Sequence, residues 1–133
     1  MKKAYILTSV AAACLLALTA CHHDSLEDRA EHEVADYTQR YCPTPYASNQ
    51  RTDSITFTRS SHTFHFNYTL RDVADNPEII SQNKAKLKQA LQEDLDKSTQ
   101  SKTYKEAGYR FHYVFRSQKT GKVLFEQTLV GKK

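Results

Sequence analysis

The sequence predicts an α+β domain in which a helix and a β-hairpin are followed by a second helix and a second hairpin. Two regions repeat apolar side chains with the period of a helix, and two others alternate apolar and polar side chains as strands do. Their order predicts a four-stranded antiparallel sheet whose aromatic side chains pack on the second helix. We expect this single domain to span residues 26–133.

A secretory signal is predicted ahead of the domain. Lys2 and Lys3 supply a basic start, residues 4–20 carry no charged side chain, and small residues follow at the end of that stretch. An uncleaved membrane-spanning helix is one alternative, because about 17 apolar residues approach the minimum for a span. A plain secretory signal without lipid is the other alternative.

The signal ends in Leu18-Thr19-Ala20-Cys21, which resembles the lipobox of bacterial lipoproteins. The resemblance implies cleavage before Cys21 and a diacylglycerol on that cysteine. Two or more acyl chains would hold the protein on a membrane. The resemblance also implies that the protein is located in the cell envelope, and we expect the outer membrane rather than the inner one. Residues 21–25 would then be a lipidated tether. The layout of the mature part loosely resembles that of small envelope lipoproteins of Bacteroides-type bacteria.

Composition narrows the function classes. Cleavage leaves 113 residues, enough for one modest core, and the loss of Lys2 and Lys3 lowers the net charge from +4 to +2. So small a charge argues against a nucleic-acid partner. Beyond Cys21 the mature chain keeps one cysteine, Cys42, so no intramolecular disulfide is expected. We interpret Cys42 as a small packed apolar residue rather than as the partner of a second molecule.

The first helix is predicted to begin after Ser25, whose hydroxyl can cap it, and to end near Cys42-Pro43. Its apolar stripe comprises Leu26, Ala30, Val34, Tyr37 and Tyr41, and acidic side chains cover the other face. A polar connector over residues 44–51 leads to a strand around Ile55 and Phe57. After a turn at Ser60-Ser61, the next strand places Phe64, Phe66, Tyr68 and Leu70 on one face.

The second helix is predicted to begin with Asn76 as cap and Pro77 at its first position, and to fade near Lys97. Ile80, Leu87, Leu91 and Leu95 form a narrow apolar stripe. A polar loop is expected up to Gly108. A strand from Tyr109 to Arg116 follows, then a turn containing Gly121, a partner strand over residues 123–130 and a frayed tail.

Motifs for chemistry are scarce. His65 and His112 share the polar face of the predicted sheet, but they supply two metal ligands without a third carboxylate, and His62 points to the opposite face. The chain has no Gly-x-Ser-x-Gly elbow, and its three glycines lie too far apart for a phosphate loop. We therefore expect no catalytic residue, no bound metal and no cofactor.

The remaining candidate is a cationic ligand face made of His65, Asn67, Arg71, Arg110, His112 and Arg116. If the first helix leaves it open, it could receive an acidic ligand or protein. The sequence thus favours a non-enzymatic binding or assembly module, held on the membrane by lipid, with an envelope protein as partner. One alternative is a metal-dependent hydrolase using His65 and His112. The other is a structural lipoprotein that contacts peptidoglycan or lipid head groups.

Overall fold

The computed structural model describes residues 24–131. The predicted signal peptide, the cleavage site, the lipidated Cys21 and the His22-His23 tether lie outside the described residues, as do the last two lysines. None of the described helices is both long enough and apolar enough to cross a bilayer.

The described chain contains four α-helices and four strands. The helices are α1 (Leu26–Tyr41), α2 (Pro77–Gln82), α3 (Lys84–Lys97) and α4 (Lys102–Glu106). The strands are β1 (Gln50–Thr58), β2 (Thr63–Leu70), β3 (Arg110–Ser117) and β4 (Val123–Val130). Short 3₁₀ turns follow β1 at Arg59–Ser61 and β2 at Asp72–Ala74.

The strands form one sheet in the order β1-β2-β3-β4, which is mixed. Each hairpin is antiparallel, as predicted, but β2 and β3 run parallel, so the prediction of a fully antiparallel sheet is wrong. The reason is the long helical connection between β2 and β3, which returns the chain to the starting end of the sheet. Strand periodicity cannot reveal this, because it carries no direction.

Helix α1 follows the prediction. The Ser25 side chain accepts a hydrogen bond from the backbone of Asp28, and the Asp28 side chain accepts one from the backbone of Ser25. This reciprocal pair satisfies two donors that a helix start leaves free. The helix packs on the aromatic face of the sheet, where Ala30 is fully buried. Thr38 fixes it to β1, since its hydroxyl donates to the Ile55 carbonyl and accepts from the Ile55 amide.

The second predicted helix is divided in two. Asn76 caps α2 by accepting bonds from the Glu78 and Ile79 amides, as expected. Asn83 interrupts the helix with φ −116° and ψ 17°, and its side-chain amide donates to the Ile79 carbonyl. Asparagine competes in this way for backbone partners inside helices. The predicted polar loop up to Gly108 is also wrong in part, because it contains α4.

The core lies between the aromatic face of the sheet and the helices. Its centre is the stacked pair Phe64 and Phe111, 5.5 Å apart, and Tyr104 of α4 meets Phe64 edge-on. Gly131 is anchored rather than frayed, because its amide donates to the Tyr109 carbonyl at 2.8 Å. A Cβ at this position would lie 2.5 Å from the Lys105 carbonyl oxygen, so the close approach requires glycine.

Candidate functional site

No described helix covers the polar face of the sheet, because α1 and the others pack on the aromatic side, although Thr69 and Val114 on the polar face are buried. The six residues of the predicted ligand face do project from the polar side or its end, but they do not converge. Arg110 and Arg116 stand six residues apart on β3, a distance of about 20 Å at roughly 3.3 Å per residue. Three of the six residues lie in two separate groups, His65 and His112 in one and Arg71 in the other, whereas Arg110 and Arg116 belong to neither.

One group joins side chains from all four strands. Nδ1 of His65 and Nδ1 of His112 are 2.8 Å apart, because the parallel register sets the two residues side by side. Nε2 of His65 lies 2.8 Å from the Thr58 hydroxyl, and Nε2 of His112 lies 2.5 Å from Glu126 Oε1. We call these four residues the histidine bridge. Burial, with a smaller effect of the neighbouring His112, lowers the pKa of His65.

The other group gathers arginines around one tyrosine. The guanidinium carbon of Arg71 lies 4.2 Å from the ring centroid of Tyr46, and that of Arg51 lies 5.1 Å from it. Arg51 also pairs with Asp53 at 2.7 Å. Much of this positive charge is thus committed to partners within the face. Asn67, between the two groups, donates to the Ser54 hydroxyl at 3.2 Å.

A metal-dependent hydrolase finds little support in this arrangement. Residues 24–131 hold no group of three or more His, Cys, Asp or Glu side chains arranged around a common metal position. His62 does not belong to the histidine bridge. It stacks on Tyr109 with 4.6 Å between ring centroids, and it pairs with Glu27 at 3.0 Å. Cys42 is partly buried, and this burial raises the pKa of its thiol.

The opposite face of the sheet carries a cleft that the sequence did not indicate. Helix α1 lies against β1, and α2 and α3 lie against β4, so the side chains of the two central strands are left as a floor. The cleft has a volume of about 550 Å³. Its walls come from α2, α3, the 3₁₀ turn after β2 and the loop after α3, with Val73, Ile79, Leu87, Ala90, Asp94 and Gln100 among the lining residues.

Stacked aromatic rings form the floor of the cleft. The parallel pairing of β2 with β3 places Phe66 beside Tyr113 and Tyr68 beside Phe115. The ring centroids of these pairs are 4.9 and 4.8 Å apart, and the planes are inclined by only 13° and 20°. Phe125 of β4 extends the floor at 6.0 Å from Phe115. The parallel register therefore produces a continuous aromatic surface.

The cleft has a mostly apolar lining with a smaller number of polar side chains, namely Gln50, Tyr68, Asp94, Ser98, Gln100, Ser101 and Tyr113. Among its lining residues, all in the described part of the chain, Asp94 is the one carboxylate and none is basic. Burial, with a smaller effect of the Asp94 charge, raises the pKa of Tyr113 to about 12. Burial likewise raises the pKa of Tyr68 above its ordinary value. Both phenols are thus protonated donors at neutral pH.

One signal in the sequence could have indicated the cleft. The second predicted helix has a narrow apolar stripe, whereas the two hairpins present aromatic side chains across four strands. A helix with so narrow a stripe cannot cover that surface. The sequence therefore already indicates that the sheet carries more aromatic surface than the apolar stripe of this helix can cover.

Comparisons with known proteins identify a family and a fold. A family model described as a domain of unknown function, DUF8479, matches residues 25–125. No curated protein matches the chain. A crystal structure from Pseudomonas aeruginosa, of a protein described as secreted, is similar with a TM-score of 0.61 and 14% sequence identity. The similarity covers 80% of this chain and 95% of that one.

Proposed function

The chain belongs to the DUF8479 family, and from this premise we propose that it is a lipid-anchored envelope protein that binds an amphiphilic ligand in the aromatic cleft. The observation that carries the proposal is the cleft itself, with its volume of about 550 Å³ and its predominantly apolar lining. Small-molecule sites typically have volumes of about 300–1,000 Å³, apolar walls and a few polar groups that orient the ligand.

The rim of the cleft supports an apolar occupant. Val73 is 80% exposed and Ile79 is 51% exposed, although both are large apolar residues that line the cleft. Apolar side chains grouped at an opening commonly mark a binding surface, whereas scattered ones need no explanation. A ligand that covered them would remove from water the apolar area that folding leaves exposed.

The charge distribution favours a ligand with a cationic head. Asp94 supplies the negative charge at one end of the cleft, and the protonated phenols of Tyr68 and Tyr113 lie near it. Aromatic faces also attract cations through their quadrupole. An apolar body would then lie over the rings, with an ammonium group directed toward Asp94.

Docking of an acidic partner on the polar face has weaker support. Part of its charge meets partners within the face, as Arg51 does with Asp53 and His112 with Glu126, and Arg110 and Arg116 stand too far apart to bind one small acidic group. The cleft, in contrast, offers apolar surface that no other part of the described chain covers. In the part of the chain that the structure describes no histidine lines the cleft, so Ser98 and Ser101 have no imidazole base there, which favours binding over nucleophilic chemistry.

The location is proposed from two observations. The first is the resemblance of Leu18 to Cys21 to a lipobox. The second is the fold similarity to a protein described as secreted. Mass spectrometry of the mature N-terminus should detect diacylglycerol on Cys21, and Cys21→Ser should abolish the modification and release the protein from membranes. An unmodified wild-type Cys21 would contradict the anchor without affecting the cleft.

Ligand binding is tested with decylammonium, decanol and decanoate, which share one alkyl chain and differ in the head. Calorimetric titration below the micellar concentration should give the order decylammonium, decanol, decanoate, from tightest to weakest. Ala90→Leu should weaken decylammonium binding, because it fills the cleft from α3. Ala85→Leu is the matched control, an exposed alanine of the same helix that does not line the cleft. Equal binding by both variants would contradict the proposal.

A further inference from the structure

The histidine bridge has a protonation pattern that its distances define. The 2.8 Å contact between the Nδ1 atoms of His65 and His112 needs one hydrogen, because one nitrogen must donate and the other must accept. Nε2 of His112 donates to Glu126, so in a neutral pair Nδ1 of His112 accepts from His65. Nε2 of His65 then accepts from the Thr58 hydroxyl. Two ring nitrogens thus face each other, with a single proton between them.

We propose that His65 and His112 form a binding site for a divalent first-row transition-metal ion, with Cu²⁺ bound most tightly, through their two facing Nδ1 atoms. The ion would replace the shared proton, which moves through solvent from Nδ1 to Nε2 of His65, so that both imidazoles stay neutral. Imidazole nitrogen is a ligand suited to copper, nickel and zinc, and copper binds tightest of the divalent series at a given site.

The spacing of the two nitrogens matches adjacent positions around such an ion. Metal–nitrogen bonds of about 2.05 Å at a right angle separate the nitrogens by about 2.9 Å, whereas a tetrahedral angle separates them by roughly 3.3 Å. The observed 2.8 Å is closer to the first value. Right-angled ligands are characteristic of the tetragonal geometry of Cu²⁺ and Ni²⁺. Because the two Nδ1 atoms face each other in the hydrogen bond, metal binding requires both rings to turn until their lone pairs meet at the ion.

The outer ring nitrogen of His112 is already held as that of a metal ligand commonly is, and that of His65 has a hydroxyl partner. Glu126 accepts from Nε2 of His112 at 2.5 Å, and the Thr58 hydroxyl lies 2.8 Å from Nε2 of His65. A carboxylate on the far nitrogen fixes the ring and makes the near nitrogen more basic. Thr58 can switch from donor to acceptor when His65 binds metal, because a hydroxyl does both.

The site is on the opposite face from the cleft and is independent of the proposed function. It supplies two protein ligands, so water completes the coordination. The inference therefore concerns metal binding and not hydrolysis. Both imidazoles are partly exposed, which gives an ion access from solvent.

The test is calorimetric titration of the mature chain with CuCl₂, NiCl₂ and ZnCl₂. The parent carries His22→Ala and His23→Ala, so that the tether histidines do not compete. One Cu²⁺ should bind per chain, more tightly than Ni²⁺ or Zn²⁺. His65→Ala or His112→Ala should abolish this site, and Glu126→Gln should weaken it about 10- to 100-fold. His32→Ala, which removes an exposed histidine of α1, is the control and should bind as the parent does.

Imidazole ¹⁵N spectra of the folded parent keep the test valid even if a variant unfolds. Zinc, which is diamagnetic, should shift Nδ1 of both residues and leave Nε2 protonated. Retention of tight Cu²⁺ binding by folded His65→Ala would overturn the proposal. So would zinc-induced shifts confined to other histidines.

Discussion

The two faces of the sheet differ in how their side chains are satisfied. On the polar face, hydroxyl, amide, imidazole and carboxylate groups bond to one another across the strands, as in the histidine bridge. On the aromatic face, the rings stack in pairs but the helices cover only part of them. Many polar groups of the polar face thus have partners without a ligand, whereas the aromatic face leaves apolar area in contact with water. We therefore expect a ligand to bind on the aromatic face, where the helices leave part of the rings uncovered.

The largest expected effect is a difference in the free energy of unfolding between substitutions on the two faces. Phe111→Ala should lower the free energy of unfolding by about 3–5 kcal/mol, because Phe111 is 1% exposed and its removal leaves a cavity beside Phe64. Thr128→Ala, at an exposed position opposite His112, should change it by about 0.5 kcal/mol or less. Urea unfolding followed by circular dichroism measures both. Equal losses would show that the polar face is as much a part of the core.

A smaller effect concerns the head group of the ligand. Asp94→Asn should reduce the preference for decylammonium over decanol by about 2- to 5-fold, as expected for one partly solvated charge pair. Asp96→Asn is the control, since Asp96 is an exposed aspartate of the same helix outside the cleft. Calorimetric titration compares the variants. An unchanged preference in Asp94→Asn would place the ammonium group elsewhere.

The polar face should respond to mild acid. Since the pKa of His65 is lowered in the folded protein, its contribution to stability is fully present above the unfolded value of about 6.5. It is lost as the pH falls from there through the lowered folded value, because the unfolded chain binds the proton more readily. NMR titration should give a His65 midpoint below 6.5, and His112→Ala should raise it. A midpoint at or above 6.5 would contradict this description of the histidine bridge.

The smallest effect is expected at the junction of α1 with the β1–β2 turn. Arg59 pairs with Asp28 and makes a second contact with Glu31 at 3.0 Å. These exposed ion pairs lower the carboxyl pKa values of both acids, but water and salt screen them. Arg59→Ala should therefore lower the melting temperature slightly at low ionic strength. At about 1 M NaCl the difference from wild type should nearly vanish, and a salt-independent loss would indicate packing instead.

Much of the fold could be predicted from local patterns. The Ser25 and Asn76 caps set the starts of α1 and α2, and alternation set β2, β3 and β4, because these signals act between residues that are close in sequence. The shared polar face of His65 and His112 was also predicted from alternation, and the structure confirms it. The parallel pairing of β2 with β3 could not be predicted from alternation, since it depends on the path of the helical connection.

The cleft was missed for a related reason. Its floor requires Phe66 beside Tyr113 and Tyr68 beside Phe115, and only the parallel register brings these pairs together. Its walls come in part from α2 and α3, which Asn83 separates, and helical periodicity alone did not indicate this interruption. The predicted cationic ligand face stays a prediction: its residues lie on the polar side or its end, but they are spread along the strands, and His65 bonds to His112.

The most direct test of the central claim is NMR mapping of decylammonium on the ¹³C- and ¹⁵N-labelled mature chain. We expect chemical-shift changes in the aromatic and methyl groups of the cleft, notably Phe66, Phe115 and Leu87, while the side chains of His65, His112 and Thr128 stay unchanged. Changes centred on the polar face, or spread evenly over both faces, would contradict the assignment of ligand binding to the aromatic cleft.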